Sequence, residues 1–185
     1  MKSLAEFLAE KVGYALAAVV LGPPAAMARR ERRMMRAALE TWCEDVGAIR
    51  LEAEGRGVRR RSGKLQGAAG SFPFEATLDP FHKQASVDVA IERLPPQASV
   101  TISKPRGRGE IRVTSATPDD SIMQKLVHEL PQTRAARETF NLALDGDRLV
   151  LHVEAPREAA EWKALGEAMV AFAESCTRRW GSSYR

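Results

Sequence analysis

The chain has 185 residues, weighs 20.3 kDa and carries 28 Lys and Arg against 24 Asp and Glu, a formal net charge of +4. Hydrophobic residues are 44% and charged residues 28%, close to globular averages, which excludes a wholly disordered chain, a collagen-like fibre and a polytopic membrane protein. Two cysteines exclude a disulfide-rich scaffold and a four-cysteine zinc site, and 6% aromatics argue against a stacking platform for single-stranded nucleic acid.

Residues 1–28 are an apolar N-terminal segment. Leu4, Phe7, Leu8, Val12, Ala15, Leu16 and Val19 recur at helical spacing, which predicts a helix from Ser3 to Leu21. Val12 to Ala28 is a run of 17 residues without a charge, at the lower limit for spanning a bilayer. Gly22-Pro23-Pro24 predicts a break in it. Four roles fit: a shallow membrane anchor with arginines at the headgroups, a soluble docking helix, a signal peptide cleaved at Ala26-Met27-Ala28, or a full span. The anchor is the leading one, because Arg29-Arg30-Glu31-Arg32-Arg33 follows directly, a flank that stays on the cytoplasmic side.

A second, Arg-rich amphipathic helix is expected from Ala25 to Val46, with residues 29–47 as its own segment and Gly47 as the stop. Met27, Met34, Met35, Ala38, Leu39, Trp42, Cys43 and Val46 share one stripe. The stretch from Arg29 to Lys64 holds 11 basic and 6 acidic residues, so the whole positive excess of the chain lies there. Anionic lipid and nucleic acid are both attracted by such a field, and a solvated helix face with a basic loop is the plain alternative.

Residues 48–177 are expected to form an α+β domain. Ile49-Leu51-Ala53, Phe72-Phe74-Ala76-Leu78, Val87-Val89-Ile91, Val100-Ile102 and Ile111-Val113 alternate with polar residues, the pattern of strands with one buried face. Turn residues separate them, which suggests an antiparallel meander of four or five strands. Between the first two, residues 55–70 are rich in Gly and Arg and read as a loop or a poorly packed edge hairpin. A helix is expected from Asp119 or Asp120 to Leu130, with a further turn from Thr133 to Glu138. Asp145-Gly146 marks a tight hairpin between Phe140–Leu144 and Arg148–Glu154. Arg157 to Cys176 is the cleanest helix, with Trp162, Leu165, Met169, Phe172, Ala173 and Cys176 on one stripe across the sheet. The polar tail, residues 178–185, is expected to fray together with Thr177.

No catalytic constellation emerges. His128-Glu129 opens an H-E-x-x-H pattern, but Gln132 stands where the second histidine belongs and Pro131 breaks the helix. His82 and His152 stand in separate elements. Gly57 to Leu65 fails as a P-loop by spacing and by Leu65 at the magnesium position. Cys43 and Cys176 lie on apolar helix faces and read as buried thiols, with a disulfide or a reactive thiol as the alternatives.

The fold expected is therefore α+β: an antiparallel meander packed on a long C-terminal helix, with two N-terminal helices. The leading function is a non-enzymatic interaction module, peripheral or shallowly anchored on the cytoplasmic side of a membrane. Arg29, Arg30, Arg32, Arg33, Arg36, Arg59, Arg60, Arg61 and Lys64 would meet the anionic surface. Its partners would be that surface and a protein or a second copy, with no metal and no cofactor. The alternative is a domain that binds an apolar, lipid-like molecule in a cavity between Phe72 and Phe74 of the sheet and Trp162, Met169 and Phe172 of the last helix. Nucleic-acid binding through residues 29–64, and a soluble cytoplasmic protein, are further alternatives.

Overall fold

The computed structural model describes residues 4–51, 57–92, 94, 99–105, 110–115 and 139–181. The chain packs as two units, residues 1–34 and residues 35–185.

The first unit is helical. Helix α1 runs from Leu4 to Asp45 without interruption, so its last turns belong to the second unit. This corrects the expected pair of N-terminal helices parted at Pro23-Pro24. Proline's fixed φ is itself helical, so a pair can sit inside a helix at the cost of two missing donors and crowding on the preceding turn. The Ala, Leu, Met, Arg and Glu residues around them are strong helix formers and carry the helix through.

Among the described residues the second unit holds a sheet of eight strands: β1 (Ile49–Leu51), β2 (Arg59–Gly67), β3 (Gly70–Asp79), β4 (Gln84–Ala90), β5 (Ser99–Lys104), β6 (Arg112–Ser115), β7 (Phe140–Asp145) and β8 (Arg148–Glu154). Their order is β1-β2-β3-β4-β8-β7-β5-β6, and every pair is antiparallel. This is α+β, but not a simple meander. The β7–β8 hairpin enters between β4 and β5, so β4 pairs with β8 over Gln84–Ala90. The hairpin turns at Gly146, whose φ of 59° is the left-handed conformation that the Asp-Gly signal anticipates.

Register explains the core. Ala76, Val87, Leu151, Leu142 and Ile102 stand opposite one another across β3, β4, β8, β7 and β5, and all five are buried. Phe74, Val89, Leu149, Leu144 and Val100 form the next buried row. The polar residues between them occupy the other face, as strand alternation requires.

Helix α2 (Ala159–Gly181) lies against β2, β4 and β8. Its stripe of Trp162, Leu165, Met169, Phe172, Ala173 and Cys176 is buried, and the helix continues past the expected fraying point because Trp180 is buried too. From α1, Met35, Ala38, Leu39, Trp42 and Cys43 join this core. Met27 and Met34, expected on the same stripe, are instead 71% and 45% exposed.

Residues 59–67, which read from sequence as a loop or edge hairpin, are a strand paired on both sides and tied to β3 through a two-residue turn at 68–69. The inward positions of β2 carry Arg59, Arg61, Gly63, Leu65 and Gly67, so its binary pattern is hidden by arginine and glycine. Pairing with β1 and β3 overrides the weak local preference. The helix expected over 119–130 and the turn expected over 133–138 lie outside the described residues.

Candidate functional site

Phe72, Phe74, Trp162, Met169 and Phe172 come together, as members of the closed core, each no more than 6% exposed. Trp42 of α1 fills the space among them. Its ring stacks on Trp162 at 5.4 Å, with 14° between the planes, and meets Phe74 at 5.2 Å and 46°. Offset and tilted aromatic pairs of this kind add about 1 kcal/mol beyond the area they bury.

The open space lies beside that stack. A groove of about 500 Å³ runs between the end of α1, β2 and α2. Trp42, Val46, Leu65, Gly166 and Val170 supply its apolar lining. Lys64 and Lys163 on one hand, and Asp45, Glu167 and Glu174 on the other, add charges of both signs to that lining. Gly166 is the residue that brings α2 this close: a Cβ there would stand 3.0 Å from Cζ2 of Trp42 and 3.7 Å from Cδ2 of Leu65. Glu174 ties the far part of α2 down, its Oε1 accepting the Ala69 N–H at 3.1 Å. The sequence carries one sign of this groove, a glycine in mid-helix, where it costs about 1 kcal/mol relative to alanine unless something must approach closely.

The basic residues divide into two sets. On α1, Arg29, Arg30 and Arg33 are exposed and lie within about one turn of one another, Met27 and Met34 are exposed too, and Arg32 is half-buried. On the second unit, Arg36 and Glu40 stand one turn apart on α1, and β2 sends Arg59 and Arg61 to the same side. Arg59 forms an ion pair with Glu40, and Arg61 approaches the same carboxylate at 3.9 Å. Arg60 points to the opposite face and pairs with Glu75 at 3.3 Å, and Lys64 is exposed. Burial first, and then the charges of Arg36 and Arg61, press the pKa of Arg59 below the ordinary arginine value.

Cys43 and Cys176 are both buried and are not joined to each other in a disulfide. Burial pushes the Cys43 thiol up to about 11, against the opposing pull of Arg61, with Glu44 adding to the rise. Such a thiol is not a nucleophile at neutral pH. Among the described residues no group of three His, Cys, Asp or Glu side chains is placed to hold a metal ion.

His82 Nδ1 lies 2.7 Å from Asp79 Oδ2, while Asp79 Oδ1 accepts the backbone N–H groups of Phe81 and His82. The hydrogen bond to Asp79 raises the His82 pKa and lowers that of Asp79. The folded His82 therefore holds its proton above the ordinary value. Its contribution is fully present below the unfolded-state pKa and is lost as pH rises through the folded one. Asp79 loses its share as pH falls through its own depressed value. An NMR titration should find His82 above the ordinary histidine range, and Asp79→Asn should return it there. A His82 pKa indifferent to that substitution would show the pair to be unimportant in solution.

No helix among the described residues is long and apolar enough to cross a membrane. No family model matches the chain, and no curated protein matches its sequence. Its fold is similar to that in the crystal structure of the mycobacterial trehalose monomycolate transport factor A, TtfA. The TM-score is 0.56 at 13% identity, and the match covers 78% of this chain and 94% of that one. At this identity the likeness is one of fold.

Proposed function

We propose that the protein is a non-enzymatic module that works at an anionic membrane surface and holds a lipid-like amphiphile in the groove between α1, β2 and α2. The groove carries this reading. It is large enough for an acyl chain, it offers apolar side chains for that chain, and the charged residues among its lining suit a polar head. Two further observations support it. The similar fold belongs to a transport factor for a lipid, trehalose monomycolate. Exposed Met27 and Met34 stand within about two turns of α1 with exposed Arg29, Arg30 and Arg33, a mixture of apolar and basic side chains that suits a lipid interface.

Fluorescence quenching by a lysolipid with a brominated acyl chain tests the groove, because Trp42 forms part of its wall. The full-length protein should be quenched in a saturable way. Trp42→Phe should remove most of that quenching. Gly166→Leu should weaken binding at least tenfold by filling the groove, with far-UV circular dichroism confirming that the variant is folded. Quenching that persists unchanged in Trp42→Phe would place the ligand elsewhere and end this reading.

A further inference from the structure

We propose that Arg36, Arg59 and Arg61 form a binding site for a phosphate-class oxyanion, with Glu40 holding two of the guanidiniums in position. The site shares no lining residue with the groove and is independent of the function proposed above.

The placement follows from two spacings. Arg36 and Glu40 are four residues apart and share one side of α1. Arg59 and Arg61 are two apart on β2 and share the face that also bears the buried Leu65. Helix and strand thus direct three guanidiniums and one carboxylate to one locality, an excess of two positive charges among the described residues.

These are not freely solvated surface charges. The side chain of Arg61 is 15% exposed and that of Arg59 is 26% exposed. The Nε of Arg36 is buried and has no hydrogen-bond partner among the described residues. A buried donor without an acceptor is unfavourable, because it has lost its water without gaining a partner. Clustered like charges withdrawn from water repel one another more strongly than they would at the surface. Burial first, and then the neighbouring charges of Arg36 and Arg61, hold the pKa of Arg59 below the ordinary arginine value. Glu40 alone offers two oxygens to the set. A tetrahedral oxyanion brings more acceptors and more charge, and guanidinium forks match its edges.

A purely structural ion-pair cluster predicts something different. If the arginines served only to clamp α1 onto β2, each Arg→Gln change would destabilise the fold whatever anion is present. A site built for an anion predicts that Arg36→Gln, by relieving repulsion, leaves the melting temperature in chloride unchanged or higher while removing the response to phosphate.

The experiment uses the full-length protein in inorganic phosphate or pyrophosphate against chloride at equal ionic strength. It also uses vesicles of phosphatidylcholine with and without phosphatidic acid. Phosphate should raise the melting temperature with increasing concentration. Arg36→Gln and Arg61→Gln should each weaken binding at least tenfold. Arg59→Lys, which keeps the charge and loses the fork, should weaken it several-fold and serves if a glutamine variant does not fold. Arg148→Gln, at an exposed pair with Asp88 elsewhere on the sheet, should change nothing. A response to the free anions assigns the site to a soluble phosphate. A response only to phosphatidic acid vesicles, reduced by Arg36→Gln, assigns it to a lipid headgroup. The proposal falls if wild type and Arg36→Gln respond alike to every phosphate source, or if phosphate acts no differently from chloride and the vesicle arm shows no difference between them.

Discussion

Trp42→Ala should destabilise the second unit by about 3–5 kcal/mol, the range for truncating a large aromatic in a closed core. Trp42 is 1% exposed and is packed between Phe74 and Trp162, so its loss opens a void that three elements border. For a unit of this size the shift in melting temperature is roughly 6–20 °C. Trp162→Phe provides the contrast. Trp162 is fully buried, and its indole N–H has no hydrogen-bond partner among the described residues. Removing an orphaned donor offsets part of the lost packing, so this change should cost only about 1 kcal/mol. Urea unfolding followed by far-UV circular dichroism measures both. A Trp42→Ala protein that unfolds with the wild type would show that the stack does not hold α1 to the sheet.

Replacing Arg29, Arg30 and Arg33 together with glutamine should reduce affinity for vesicles of phosphatidylcholine mixed with phosphatidylglycerol by roughly 10²-fold at low salt. Each basic side chain near an anionic surface contributes about 1 kcal/mol, and these three are exposed on one face of α1. The difference should shrink as salt shortens the screening length toward that of about 1 M, roughly 3 Å. What then remains of binding reports the apolar contribution, in which Met27 and Met34 take part by this reading. Sedimentation of the full-length protein with the vesicles gives both numbers. A triple variant that binds like the wild type at low salt would remove the membrane from the proposed function.

Much of the sheet is legible in the sequence. The alternation of β3, β4, β5, β7 and β8 announces their buried faces, and Asp145-Gly146 announces the turn. Strand order is not legible, because the pairing of β4 with β8 joins residues far apart in sequence and local pattern carries no record of it. β2 escapes notice for a different reason. A strand whose inward side carries arginine and glycine has no hydrophobic period to detect, and the Arg59–Arg61 spacing acquires meaning only once that strand is recognised. Trp180 is within reach, since it continues the stripe four residues beyond Cys176. The stripe on α1 fails at Met27 and Met34, because a helical period says which residues share a face and not how far along the helix that face stays covered. The groove follows from none of the expected site residues apart from Lys64, which the charge pattern assigns to a lipid surface, and Gly166 is its single trace.

The position of the β7–β8 hairpin also constrains how the chain is made. On a ribosome the strands emerge in chain order, so β1 to β4 can assemble as soon as they are free, as can β5 with β6. Among the described residues no strand pairing joins the two sets until Phe140–Glu154 has been synthesised, for β8 and β7 stand between β4 and β5 in the sheet. Until then the edge of β4, with Ala85, Val87 and Val89 along it, lacks its β8 partner. An unpaired apolar strand edge is a template for mispairing, and it is the β7–β8 hairpin, late in the chain, that supplies the partner of β4.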